Sequence, residues 1–332
     1  VLIHCYDSKF VKNNLERWGR KVIELKHGEK FHCGDGLNIH IYAADNCNPQ
    51  LCFKFFGCGK MESKIGSTGI DTLSVIENGE KCILNVNDCP YDLAEQTLDV
   101  VKERHPNIDL LLVGYAGAGS YPQCWECYDE DEKLNVYGLK KKNHFLLQGL
   151  KFLHKTKPNN YMPFAGTYTL RGKLAYLEKF RVVPELQDAL RYYEENYTEA
   201  KGILLNSFNW FDLNSGALSG KYRPINYDEK IKYVEQVLSK YKYEYEYDTE
   251  PVLSDFLLLI DKCYSRYESK RQELNFTTET NVYLYLPQNK MAKISCSGNG
   301  YEIINIENFD DDRYVTYRVD PKLLLRILKG PK

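Results

Sequence analysis

The chain has 332 residues, 43% of them hydrophobic, which is enough for one large buried core or two smaller ones. Lysine and arginine (44) nearly balance aspartate and glutamate (46), and the resulting charge of −2 gives nucleic acid or an anionic membrane no basic surface to meet. The longest apolar runs, Leu110 to Val113 and Phe256 to Ile260, are far shorter than the roughly 20 residues of a membrane-spanning helix.

Eleven cysteines are scattered along the chain rather than packed into a small scaffold, so they read as reduced thiols of a cytoplasmic protein. No secretory signal precedes Val1. The start in an apolar strand without Met, and the stop at Gly330-Pro331-Lys332 behind a helix, suggest a piece of something longer.

Val1 to Cys5 reads as a strand, and Asp7 or Ser8 can cap a helix on Phe10, Val11, Leu15 and Trp18 that Gly19 ends. Strands follow at Lys21 to Leu25 and Leu37 to Ala44. In the second, Leu37, Ile39 and Ile41 alternate with Asn38, His40 and Tyr42, which puts the first set inward and His40 outward. Asp45-Asn46-Cys47-Asn48-Pro49 is a turn by composition. Gln50 to Gly69, rich in Cys and Phe and then in Gly, reads as a long ordered loop of the kind that carries function.

Ile70 to Ile76 and Lys81 to Val86 are strands joined at Asn78-Gly79, the strongest short hairpin signal. The second strand delivers Asp88 to its C-terminal end. A carboxylate there can hold a metal or act as a base, or Asp88 or Asp92 can cap the helix that runs on to Arg104. Ile108 to Gly114 is continuously apolar and suggests cover on both faces. It opens into Tyr115-Ala116-Gly117-Ala118-Gly119-Ser120-Tyr121-Pro122, whose small residues let the backbone pass close to a ligand or make a tight turn. A helix over Lys140 to Lys155, a strand over Tyr161 to Ala165 leading to Gly166-Thr167-Tyr168, an amphipathic helix over Glu185 to Ala200 and a strand over Gly202 to Asn206 complete this part.

Composition changes near Ser215, which suggests a first domain over 1–214 and a smaller α+β unit over 215–332. The second has helices near Asp228 to Lys242 and Val252 to Glu273, strands near Asn281 to Leu286, Met291 to Cys296, Gly300 to Ile306 and Arg313 to Arg318, and a last helix from Pro321. Strands in runs with helices between and outside them predict a layered sandwich rather than a wound parallel sheet.

Cys124-Trp125-Glu126-Cys127 has the CxxC spacing of zinc and redox sites; its other reading is a pair of reduced structural thiols, because zinc needs a second pair of ligands. The histidines show no paired metal-ligand spacing, and His105 falls at a helix end where a positive side chain suits the dipole. The Gly117 to Gly119 loop is neither GxGxxG nor a P-loop, and GxSxG is absent.

The succession Ile83-Leu84-Asn85-Val86-Asn87-Asp88-Cys89, then Gly114 to Pro122, then Pro163-Phe164-Ala165-Gly166-Thr167-Tyr168 resembles the metallo-β-lactamase-fold region of CMP-N-acetylneuraminate hydroxylase and of related bacterial metallo-hydrolases. The match covers roughly 1–200, and 314–330 is similar to the end region of the bacterial members. The resemblance implies an α+β fold, a four-layer αββα metallo-β-lactamase-like sandwich lacking its N-terminal part. It implies Asp88 as the metal-bridging aspartate, with Asp45 or Cys47 standing where the family usually has a histidine ligand. It places the HxHxDH signature before Val1, and Gly172 to Val183 lacks the late histidine. Gly117, Gly119, Ser120, Thr167 and Tyr168 would border the pocket.

The function so implied is a metal-dependent hydrolase, using Zn or Fe to activate water against a small-molecule substrate in sugar-nucleotide or surface-polysaccharide metabolism. Its alternatives are a binding module that has lost ligands and a hydroxylase-associated domain. No nucleic acid or membrane partner is expected, and oligomeric state is left open.

Overall fold

The computed structural model describes residues 1–5, 9–44, 71–273, 275–309 and 311–330. Contacts divide the chain into two compact units, 1–240 and 241–332. Residues 215–240 therefore go with the first unit, and Ser215 marks a change of composition inside it.

The first unit is built on a seven-stranded sheet in the order β3 (Glu29–Gly34), β4 (Leu37–Ala43), β5 (Thr72–Glu77), β6 (Cys82–Asn85), β7 (Leu110–Val113), β8 (Asn160–Pro163) and β9 (Lys201–Gly202). The pairs from β3 to β6 are antiparallel and those from β6 to β9 parallel. The parallel pairs need crossovers, which the helices provide: α2 (Glu95–Arg104) before β7, α3 (Leu139–Thr156) before β8 and α4 (Leu186–Asn196) before β9. A separate parallel pair, β1 (Leu2–His4) with β2 (Ile23–Leu25), flanks α1 (Phe10–Arg17). The helix α5 (Tyr227–Gln236), capped by the Asn226 side chain, closes the unit.

One aligned row crosses the sheet from His40 through Val75, Leu84, Leu111 and Tyr161 to Gly202. With Tyr42, Leu73, Val86 and Val113 it forms a buried layer beneath Leu98 and Val101 of α2, Leu146, Phe152 and Leu153 of α3, and Ala189 and Tyr193 of α4. Each fully buried Val, Leu or Phe side chain stabilises this layer by about 1.5–3 kcal/mol. The row ends on the edge strand at Gly202, where a Cβ would meet Leu190 and the Tyr161 side chain.

The burial of β4 departs from the expected alternation. Tyr42, His40 and Asn38 are buried, at 0%, 7% and 9% exposure, and Ile41 is buried as well at 8%, whereas Ile39 is half-buried and Leu37 is 40% exposed. Most of the polar tips find partners in place: Asn38 Nδ2 donates to Glu77 Oε1 at 2.9 Å, His40 Nε2 lies 3.3 Å from the same oxygen, and the Tyr42 hydroxyl lies 3.1 Å from His105 Nε2, while Asn38 Oδ1 has no hydrogen-bond partner among the described residues. Hydrogen bonds of this kind offset much of the cost of burying polar side chains on the helix-facing side. His105 ends α2 as expected, but burial, and then the neighbouring His40, push its pKa down, so it is neutral rather than a cation on the helix dipole.

The second unit has the sheet order β12 (Tyr301–Asn305), β11 (Lys290–Ser295), β10 (Asn281–Leu286), β13 (Tyr314–Tyr317) and two helices, α6 (Ser254–Glu273) and α7 (Pro321–Lys329). Phe256, Ile260, Leu286, Ala292 and Leu324 form its core. The β10–β11 hairpin closes over three residues, Pro287 to Asn289, of which Gln288 and Asn289 take positive φ (61° and 54°), the left-handed backbone that tight hairpin loops use. Asp320 caps α7, Pro321 occupies its first turn and Gly330 follows it, the punctuation that marks a helix in sequence.

Candidate functional site

The strands β6, β7 and β8 run parallel, so their C-terminal ends open on one rim, where side chains from consecutive crossovers meet. After β6 the chain keeps pairing through Val86 N to Leu112 O, then turns tightly, with Asn87 N donating to Asn85 Oδ1 and Cys89 N to Val86 O. Val86 and Cys89 are buried on either side of the turn, and Asp88 stands out from it at φ 62°. The Asp88 carboxylate is exposed and has no hydrogen-bond or ion-pair partner among the described residues. It caps no helix: α2 begins behind Ala94 without a side-chain cap, and Asp92 pairs with Lys151 (2.8 Å) and Gln148 (3.3 Å) of α3.

The end of β7 passes close to this turn. A Cβ on Gly114 would lie 3.3 Å from Asn87 Oδ1 and 3.8 Å from Asp88 N, so the small residue permits the approach. Beyond it, Gly117 serves packing, since a Cβ there would enter the Phe145 ring of α3, whereas Gly119 faces open space and Ser120 is exposed.

The segment after β8 is fastened to the one after β7. Tyr168 donates its hydroxyl hydrogen to Gly119 O at 3.0 Å, and Gln123 Nε2 donates to Gly119 O (2.7 Å) and to the Tyr168 oxygen (2.9 Å). Gly166 lets the loop lie on the buried Tyr115 ring, and Ala165 before it is at φ 49°. Gly119, Thr167 and Tyr168 are thus brought together, with Ser120 beside them, while Gly117 turns to the helix. Asp45 and Cys47 lie outside the described residues.

Sequence reasoning missed what lies behind the rim. Arg181, 4% exposed, donates from Nη1 to Thr167 Oγ1 (3.2 Å), from Nε to Glu178 Oε1 (2.9 Å) and from Nη2 to Glu185 Oε1 (3.2 Å), and its guanidinium lies 5.1 Å from the Tyr168 ring centre. Lys230 of α5 pairs with both glutamates, and Glu178 Oε2 accepts from Leu170 N. Glu178 and Glu185 lie three residues before and four residues after Arg181, but 181–185 is not helical, so the helical spacing of neighbouring charges gave no signal for this cluster. Nearby, Lys141 donates to Tyr121 O at 2.6 Å; burial, then the neighbouring Arg181, push its pKa down to about 8. Burial raises the Tyr168 pKa, so the hydroxyl keeps the proton it donates.

This rim can orient a ligand with an exposed carboxylate, a hydroxyl and backbone groups. As a metal site it is incomplete: Asp88 offers one donor, and no group of three His, Cys, Asp or Glu that could hold an ion occurs among the described residues. A protein-held zinc takes about three or four such donors. No helix of the described residues is long and apolar enough to cross a membrane.

No family model matches the chain, and no curated protein matches it in sequence. Solved structures share part of its trace. It is similar to CmlA, a diiron β-hydroxylase from Streptomyces venezuelae, with 15% identity and TM-score 0.35 over 61% of this chain and 38% of that one. It is similar to the metallo-β-lactamase fold protein YhfI from Bacillus subtilis, with 10% identity and TM-score 0.36 over 63% and 64% of the two chains. A third is isothiocyanate hydrolase from Delia radicum gut bacteria, with 14% identity and TM-score 0.34 over 61% and 63%. The chain spans less than two thirds of the length of each, and the likeness is one of α+β chain trace.

Proposed function

We propose that the chain carries the substrate-facing rim of a metal-dependent hydrolase of the metallo-β-lactamase kind, with Asp88 as the donor this rim offers to a divalent zinc or iron and the other donors coming from outside the described residues. The observation that carries the reading is the state of Asp88: an exposed carboxylate without a partner among the described residues, held at φ 62° in the turn between buried Val86 and Cys89 at the end of a core strand. Left-handed backbone at a residue other than glycine costs free energy, and such residues gather at functional sites. Ala165 repeats the conformation at the end of β8.

In this reading Ser120 and the Thr167-Tyr168 pair border the bound molecule, and Arg181 keeps Thr167 in place. The substrate class is a small molecule of sugar-nucleotide or surface-polysaccharide metabolism. The exposed rings of Trp125 and Phe164, on the segments that follow β7 and β8, support it by offering flat apolar faces to a sugar ring.

The test is metal content after loading with Zn(II) or Fe(II) and dialysis, compared between the wild-type chain and Asp88→Asn. We expect weak retention by the wild type and none by the variant. Retention that Asp88→Asn leaves unchanged would overturn the assignment and favour a binding module without a metal at the rim.

A further inference from the structure

The two cysteines of the CxxC segment have no part in the reading above, yet they sit beside the same rim. Cys124 and Cys127 are both free and exposed. They occupy a string of successive turns, in which Cys124 N donates to Ser120 O (2.9 Å), Trp125 N to Pro122 O (3.0 Å) and Tyr128 N to Trp125 O (3.4 Å). The turns at 122–125 and 125–128 overlap the stretch from Cys124 to Cys127, so the chain bends there rather than extending, and two cysteines with two residues between them in a bent chain can come within the span a disulfide bridges.

The surroundings hold the turns in place. The rings of Trp125 and Tyr128 are stacked at 5.8 Å, Tyr128 and Tyr137 at 4.0 Å, and the Tyr121 ring meets Trp125 edge-on at 5.2 Å. Between the two halves of the segment, Gln123 is 1% exposed and makes the bonds to Gly119 and Tyr168 that fasten the rim loops. Any constraint placed on Cys124 is therefore felt one residue away by the side chain that joins those loops.

We propose that Cys124 and Cys127 form a reversible dithiol–disulfide site whose oxidation stiffens the rim loops at 114–123 and 164–170. The oxidant is a low-molecular-weight disulfide. The Cys127 thiolate attacks one of its sulfurs, forming a mixed disulfide and releasing one thiolate. The Cys124 thiolate then attacks the Cys127 sulfur, closing the bridge and releasing the second thiolate. Two protein thiols lose their protons and two electrons pass to the oxidant. Partial burial raises the Cys124 thiol pKa while Lys133 and Lys141 act in the opposite direction, so Cys124 attacks second, when the mixed disulfide is already held beside it.

The experiment incubates the full chain with oxidised glutathione and maps its cysteines by mass spectrometry, then follows amide hydrogen exchange with and without dithiothreitol. We expect a peptide bridged between Cys124 and Cys127 that has lost two hydrogens, and exchange in the rim loops slowed about threefold or more, reversed by reductant and absent in Cys124→Ser and Cys127→Ser. Separate glutathione adducts on the two sulfurs, or bridges from either to Cys5 or Cys33, would overturn the site; a bridge that leaves rim exchange unchanged would overturn the stiffening. These readouts use no metal, so their failure and that of the hydrolase reading are distinguishable.

Discussion

The Tyr168 hydroxyl donates to the Gly119 carbonyl at 3.0 Å, and this bond joins the loop that ends β8 to the loop that ends β7. Gln123 shares it, reaching both the carbonyl and the hydroxyl oxygen. Tyr168→Phe should cost about 1 kcal/mol, the net worth of a partly exposed hydrogen bond, and Gln123→Leu somewhat more because it removes two hydrogen bonds, one to the Gly119 carbonyl and one to the Tyr168 oxygen. The two losses should not add, since each variant already disables part of the other's contact. Urea unfolding of both single variants and the double variant checks this; strict additivity would mean that the three groups do not act together.

Arg181 is the larger commitment. Replacing it by Met leaves Glu178 and Glu185, 7% and 2% exposed, with Lys230 as their remaining cation. Glu185 Oε2 already has no hydrogen-bond partner among the described residues. Removing one member of a buried charge cluster typically costs about 3–5 kcal/mol, because the survivors stay desolvated. Arg181→Met should therefore lower the unfolding midpoint strongly, and replacing Glu178, Arg181, Glu185 and Lys230 together by apolar residues should recover much of that loss. A quadruple variant no more stable than the single one would show that the cluster is held by packing and not by charge.

The fold was readable where local chemistry and tertiary context agree. Asn78-Gly79 made the hairpin, Asp320-Pro321 opened the last helix, and the run Cys82 to Val86 delivered Asp88 to the end of a core strand. It was unreadable where partners come from afar. The strand Glu29–Gly34 carries one large apolar residue, Phe31, and pairs only because β4 lies beside it. The polar face of β4 is buried, as is Ile41 on the other, because Glu77 and His105, 37 and 63 residues further on than the His40 and Tyr42 they serve, give partners to polar tips that appeared to need water. Arg181 was missed for the same reason, since Thr167 and Lys230 approach it from different segments.

His105 carries a pH dependence. Burial, then repulsion from His40, hold its folded pKa below the ordinary value of 6.5, while Glu77 acts in the opposite direction. The unfolded chain therefore takes up the proton first as pH falls. Stability from this group is fully present above about pH 6.5 and lost as pH drops through the folded pKa, because the unfolded state binds more protons in that window. His105→Gln, which stays neutral, should flatten the fall in unfolding free energy as pH drops below about 6.5. An unchanged slope would assign the acid sensitivity to other groups.

Gly149 on α3 offers the sharpest steric test. A Cβ there would collide with the Tyr193 hydroxyl of α4 and lie 2.7 Å from the ring carbon that bears it and 3.2 Å from Gly114 O, in a place where both helices pack on the sheet. Tyr193 is fully buried, and its hydroxyl has no hydrogen-bond partner among the described residues. Gly149→Ala gains helix propensity but overfills the contact, so it should destabilise by about 1–3 kcal/mol. Tyr193→Phe removes the obstructing oxygen and an unmet polar group together, and should be neutral or slightly stabilising alone. Combined, the two changes should restore most of the stability lost by the alanine, as read from the thermal midpoint. If Tyr193→Phe fails to rescue Gly149→Ala, the obstruction lies in the approach of α3 to the end of β7 at Gly114 and not in the meeting of the two helices.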